Sequence, residues 1–190
     1  MESNNVCRRL IISCALVLLC TGICWPQEFV NTRKISLNRG DTLVIAGILA
    51  DVKIEEINPM VYYFWYDNGQ IFSNQGGHGG NLLHGDYVEY GPAGTLLLKG
   101  QYDKGTQSGK WNYWYPVGAL KESIHYENGL LEGDNIRYSM DGKIYFQANY
   151  HEDQLHGKMT TVKGDTLFQI KYKKGEELKR EAMHVFQNQK

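Results

Sequence analysis

Apolar side chains in this chain recur at every second position in short runs, and the runs themselves recur every 24 residues. The clearest runs are Leu96, Leu98, Gly100, Tyr102; Leu120, Glu122, Ile124, Tyr126; Ile144, Phe146, Ala148, Tyr150; and Phe168, Ile170, Tyr172. Between them stand Lys99 and Gln101, Lys121, Ser123 and His125, Gln147 and Asn149, Gln169 and Lys171. Period two predicts strands with one packed and one wet face. A helix is disfavoured, because its apolar spacing would be near 3.6 and because glycine falls about every dozen residues, each costing roughly 1 kcal/mol inside a helix.

Four units align from Tyr87, the last two residues short near its first turn, and each carries two turn signals. The first centres on Gly94, Gly118, Gly142 and Gly164; the second on Gly105, Gly129 and Gly175, with Asp153 in one unit. Two turns per unit leave two strands of about six residues. In the strand before each first turn, the columns Val88, Asn112, Ile136, Thr160 and Tyr90, Trp114, Tyr138, Val162 read as the packed face. The column between them, Glu89, Tyr113, Arg137 and Thr161, reads as the variable face. The 24-residue glycines Gly85, Gly109, Gly133 and Gly157 read as part of the second turn. Strict periodicity of this size marks an array whose units bury their apolar faces by stacking. The expected fold is all-β: an elongated single-layer antiparallel β-meander of hairpin repeats, with Tyr102, Tyr126, Tyr150 and Tyr172 on one face.

Upstream, Tyr62 to Ile71 reads as a strand, a turn and a second strand, a degenerate first unit whose end is replaced by Gln75-Gly76-Gly77-His78-Gly79-Gly80. Thr42 to Ile48 and Val52 to Ile57 suggest a separate hairpin at the start of the array. Leu178, Ala182, Val185 and Phe186 have helical spacing and predict a short closing helix. The expected organisation is therefore a leader at 1–24, an N-terminal β segment at 25–60, about five repeat units at 61–175, and a tail or short helix at 176–190.

The leader is read from Arg8 and Arg9 followed by the apolar run Leu10 to Cys20 and small Thr21 and Gly22, which is signal-peptide anatomy with cleavage expected near Gly22 or Cys24. The run is short for a bilayer span of ~20 residues, so a retained anchor is the alternative. All four cysteines, Cys7, Cys14, Cys20 and Cys24, fall in this segment, which removes disulfide chemistry from the rest. The expected location is outside the cytoplasm, periplasmic or associated with the cell envelope. A net charge of −1 and the lack of any Lys/Arg run argue against a nucleic-acid partner.

These residues resemble the MORN-repeat variant family of bacteria, which includes YwqK-type antitoxin components and exported Bacteroidetes-like members. Trp114, Gly118, Leu120, Tyr126, Gly129 and Gly133 match its unit, as do Tyr138, Gly142, Ile144, Tyr150 and Gly157, and the stretch from Tyr62 to Gly85 is similar to exported members. The resemblance covers about residues 60–175. It implies hairpin repeats and neutralisation of a protein partner, which, with an export signal, would be an exported one. The Tyr-x-Gly-x-Trp core of eukaryotic MORN units is absent, so lipid contacts proposed for that branch are not carried over.

Chemistry is sparse. Gly76 to Gly80 lacks the Gly-Lys-Ser/Thr of a phosphate loop, no His-x-x-x-His or cysteine pair suggests a metal, and no Ser, His and Asp have triad spacing. The expectation is a non-enzymatic module without cofactor or metal that binds an as yet unidentified protein, with membrane-lipid or envelope-glycan binding as the alternative. The 13 tyrosines and four tryptophans supply the candidate surface, since both types are enriched at binding hot spots. Tyr63 and Trp65 fall on the column opposite Phe64 and Tyr66, and Trp111 and Tyr113 fall likewise; these four are the expected contact residues. His78, among four glycines, is the fifth candidate.

Overall fold

A computed structural model describes residues 31–50, 54 and 56–184. The expected leader at 1–24 lies outside these residues. The described chain forms thirteen strands and no α-helix: β1 (Thr32–Arg39), β2 (Thr42–Leu49), β3 (Tyr62–Asp67), β4 (Gln70–Gln75), β5 (Asn81–Tyr90), β6 (Leu96–Asp103), β7 (Thr106–Trp114), β8 (Leu120–Glu127), β9 (Leu130–Tyr138), β10 (Ile144–His151), β11 (Gln154–Lys163), β12 (Thr166–Lys173) and β13 (Glu176–His184). All pairings are antiparallel, and β5 to β13 run in sequence order as a meander. Eleven strands lie on one open path, β1-β2-β5 onward, so the sheet is about 48 Å wide at ~4.8 Å per step.

The expected array start is corrected at two places. Thr42 to Leu49 does not pair with Val52 to Ile57, because β1 takes one side of β2 and β5 the other; residues 51–53 and 55 lie outside the described chain. The hairpin β3–β4 does not stand in line with the repeats either. It pairs only with the first residues of β5, Trp65 opposite Leu82 and Tyr66 opposite Asn81, while β2 and β6 pair with the rest of β5. The hairpin thus turns aside and lays Phe64, Tyr66 and Ile71 against the core cluster of Val44, Ala46, Ile48, Leu83, Tyr87, Tyr102 and Trp111. Phe64 meets Tyr102 at 5.1 Å between ring centroids, and its N–H donates to the Gly105 carbonyl at 2.8 Å. The core to which this second layer belongs extends as far as Tyr126, which packs on Trp111; from β9 onward the sheet is a single layer.

The 24-residue glycines are not turn residues. Gly85, Gly109, Gly133 and Gly157 sit inside β5, β7, β9 and β11 with φ of 79°, 64°, 76° and 86°. At each one, two residues of the preceding strand span four of the glycine strand, as Ala46 to Ile48 against Leu83 to Tyr87, or Ile124 to Tyr126 against Leu131 to Asn135. These are β-bulges, which bend the strand and leave backbone groups unpaired. Opposite each bulge glycine stands a tyrosine of the next strand: Tyr102, Tyr126, Tyr150 and Tyr172. A carbonyl two residues before the glycine is then filled by the following hairpin tip: Gly105 N–H to Leu83 O, Gly129 to Gln107, Asp153 to Leu131 and Gly175 to Leu155, at 2.7 to 3.1 Å. Each such bond contributes on the order of 1 kcal/mol.

The tips themselves have positive φ at both central residues, as in Lys104-Gly105 (43° and 88°) and Asn128-Gly129 (51° and 82°), the backbone that matches strand twist in two-residue hairpins. Asp153 keeps this conformation at φ 64°. Its carboxylate also accepts the Leu131 N–H at 2.6 Å, an additional bond that glycine lacks. The short fourth unit closes its first turn with Lys163 directly opposite Thr166.

The expected closing helix is instead strand β13, paired with β12 along its length. A helix of this length is marginal in water, whereas the free edge of β12 offers a ladder of backbone partners. Leu178 and Met183 are exposed, so no helical apolar face is buried here; Val185 and Phe186 lie outside the described residues. The outer strands are rich in charge, with Arg33, Lys34 and Arg39 on β1 and five charged residues from Glu176 to Glu181 on β13, which discourages edge-to-edge association.

Candidate functional site

The face assignment of the glycine-bearing strands differs from the sequence expectation, and this relocates the candidate residues. Trp111 stands opposite Ile124, and Tyr113 opposite Glu122, so both share the face of Tyr102 and Tyr126. One step from Tyr113 to Trp114 matches two on β8, Glu122 to Leu120. That irregularity lets Trp114, and the aromatic column it belongs to, fall out of alternation with the strand behind it.

Trp111 is 1% exposed and is core. Its indole is held by Tyr87, Tyr102 and Tyr126 at centroid distances of 5.8, 4.9 and 6.2 Å. The seat exists because the residue beside it is Gly100: a Cβ there would lie 2.2 Å from indole Cδ2. Tyr113 is half-buried in the same face, between Leu98 and Glu122. Burial, with Tyr126, Glu122 and Glu89 nearby, pushes its phenol far above the ordinary range.

Tyr63, Trp65 and His78 are brought together at the β3–β4 hairpin. Tyr63 is 5% exposed, its hydroxyl accepting the Asn58 N–H at 3.0 Å and its ring 6.5 Å from His78. The expectation that Tyr63 and Trp111 are exposed contacts is thus corrected by their burial. Trp65 is half-buried and stacks on Phe72 at 6.1 Å and 23°. The glycine run that breaks the repeat wraps this indole: at Gly80 a Cβ would approach the Tyr66 carbonyl to 2.6 Å and Trp65 Cδ1 to 2.8 Å. Its composition has a packing cause. Nδ1 of His78 is buried and has no hydrogen-bond partner among the described residues.

The same hairpin and its lead-in expose Ile57, Met60, Tyr62 and Phe72. Sequence reasoning passed over these four. Phe72 was accessible to it, since the two-residue turn Asn68-Gly69 fixes the pairing of Trp65 with Phe72; Ile57 and Met60 lie outside any periodic segment.

Elsewhere Trp111 Nε1, Asn135 Oδ1 and His156 Nδ1 are likewise buried with no hydrogen-bond partner among the described residues, while several charged groups are paired locally. Arg137 Nε donates to Glu122 at 2.8 Å with its guanidinium 4.8 Å from the Phe146 ring centre, and the hydrogen bond to Glu122 raises its pKa. His151 Nδ1 lies 3.1 Å from Glu132; that bond raises the imidazole pKa and lowers the carboxyl pKa. Among the described residues no group of three or more His, Cys, Asp or Glu is placed to hold a metal ion, and no helix is long and apolar enough to cross a membrane. Compared with protein-family models and with curated proteins, the chain matches none.

Proposed function

We propose that this chain is an exported, non-enzymatic binding module that holds a protein partner through its aromatic hairpin. The observation that carries the reading is the Trp65–Phe72 stack with Phe72 exposed, together with the exposed apolar side chains Ile57, Met60 and Tyr62 of the same hairpin and its lead-in. Large aromatic and Met side chains are enriched at interface centres, and a rigid scaffold presenting them lowers the ordering cost of association. The repeats then act as the frame: through Phe64, Tyr66 and Ile71 they hold the hairpin in place. Export rests on the leader pattern at 1–24, and an antitoxin-like role, in which the partner is a toxin outside the cytoplasm, rests on the MORN-variant resemblance.

The test is a Met60→Ser, Tyr62→Ser, Phe72→Ser variant, with a photo-crosslinker placed at position 72 or, as a control, at the exposed Met140 position. Support is one protein crosslinked from position 72 and not 140, which rebinds when purified at defined stoichiometry and loses affinity for the triple variant at unchanged fold. Equal rebinding by wild type and variant overturns the reading. A second reading, envelope-glycan binding, is favoured by the half-buried Tyr150 and Tyr172 on the uncovered part of the packed face, since phenol rings suit sugar stacking. It predicts glycan co-sedimentation that Tyr150→Ala and Tyr172→Ala abolish.

A further inference from the structure

On the face opposite the tyrosines, the row that follows each bulge glycine pairs across the strands. In the first and third units it satisfies itself: Gln101 donates to Asp86 at 3.2 Å and Asn149 donates to Asp134 at 3.3 Å. In the fourth unit the same row reads Lys158 opposite Lys171, and β13 continues it with Lys179 opposite Lys171. Three ammonium-bearing side chains therefore stand in register on three adjacent strands, about 4.8 Å apart per step. Like charges directly opposite each other oppose sheet formation. Glu181 is the one carboxylate that answers them among the described residues: it pairs with Lys179 at 2.6 Å and also feels the charge of Lys158, although no ion pair is formed by Lys158 or Lys171. The lysine stems, with Gly157, Gln169 and Glu181, wall an open groove of 480 Å³.

We propose that this groove binds a linear phosphate-bearing anion, its charged oxygens lying along the row from Lys158 to Lys179, with Gln169 as a neutral donor beside it. Lysine serves phosphate as a mobile point charge, and a row of three at strand spacing matches a chain of closely spaced phosphoryl groups. A flat anionic surface fits less well, because Asp134 stands further along the same row and Glu181 beside it, and both would be pressed against like charge. The site is remote from the β3–β4 hairpin and independent of the proposed protein-binding role.

The probe is inorganic tripolyphosphate, titrated into the full chain by calorimetry at 20 mM and 200 mM salt, with anionic phospholipid vesicles as a separate arm. The expected result is saturable binding that weakens with salt, falls at least ten-fold in Lys158→Gln/Lys171→Gln, and is retained by Lys34→Gln/Lys99→Gln, which removes the same charge elsewhere. The first variant should melt at or above the wild-type temperature, because it relieves repulsion. No saturable binding by wild type, an equal loss in the two variants, or lysine-dependent binding of vesicles without tripolyphosphate each overturns the proposal.

Discussion

Replacing Gly100 by alanine tests the seat of Trp111 with one methyl group. Gly100 is not in the left-handed region, so the backbone accepts alanine and the effect is one of volume alone. The new Cβ would stand 2.2, 2.4 and 2.7 Å from three indole atoms, more than 1 Å inside contact. The indole cannot slide away, since Tyr87, Tyr102 and Tyr126 surround it. Overpacking of a full core costs about 1–3 kcal/mol, and outright expulsion of the indole would approach the ~3–5 kcal/mol of Trp→Ala. The expected loss is about 3 kcal/mol, or roughly 6–12 °C in Tm for a chain of this size. The row explains why alanine is tolerated two units on: Gly100 faces Trp111's place, whereas Ala148 stands opposite Met159 and Asn135. The assay is urea and thermal unfolding of wild type, Gly100→Ala, Trp111→Ala and the double variant. In the double variant the methyl enters space vacated by the indole, so its loss should be smaller than the sum of the singles by about 1–3 kcal/mol. A Gly100→Ala protein within about 0.5 kcal/mol of wild type, or strict additivity, refutes the seat.

Asp153→Ala should cost about 1–3 kcal/mol, through its positive φ and the lost bond to the Leu131 N–H, whereas Asp153→Gly should be near neutral because backbone relief offsets that bond; chemical denaturation compares the two. Burial raises the phenols of Tyr87, Tyr102, Tyr113 and Tyr126. A folded-state pKa above the unfolded value of ~10 gives stability that is complete below pH 10 and lost as pH rises above it, so ultraviolet titration should show these phenols ionising only with alkaline unfolding. Ionisation of all thirteen tyrosines near pH 10 in the folded protein would contradict their burial. His151 should titrate by NMR above the ordinary histidine range and return towards it in Glu132→Gln; its contribution is present at acidic pH and lost as pH rises through the raised value.

Much of the build was legible because period two, the Gly turns and the 24-residue repeat all report local backbone geometry. The strand-and-turn reading of β5 to β12, the two-residue shortening of the fourth unit and the row Tyr102, Tyr126, Tyr150, Tyr172 all follow from that local signal. What failed is non-local. The slip of one residue between Tyr113 and Trp114 decides which side of the sheet Trp111 faces relative to the strand beside it, whereas the two extra residues at each bulge shift the register by an even step; neither is visible within one strand. Insertion of β2 beside β5 depends on contacts some 40 residues apart, so Tyr62 to Gln75 read as a repeat in line. The tail read as helical because Leu178 and Ala182 are four apart, yet the open edge of β12 outweighed that weak spacing. Of the candidate surface, Trp65 was named from the alternation of Tyr62 to Tyr66 and His78 from its flanking glycines, while Tyr63 and Trp111 proved to be buried.

The lid formed by β3–β4 over one end of the sheet makes the molecule mechanically directional. Strands β1 to β8 share a two-layer core, whereas β9 to β13 are held mainly by ladders, bulge-to-tip bonds and a single row of side chains. Amide exchange should therefore be slowest around Trp111 and quicken strand by strand towards Glu176, and a pull on the C-terminus should peel hairpins away in 24-residue steps until it reaches the lid. The chain would lose its length before it loses its aromatic hairpin.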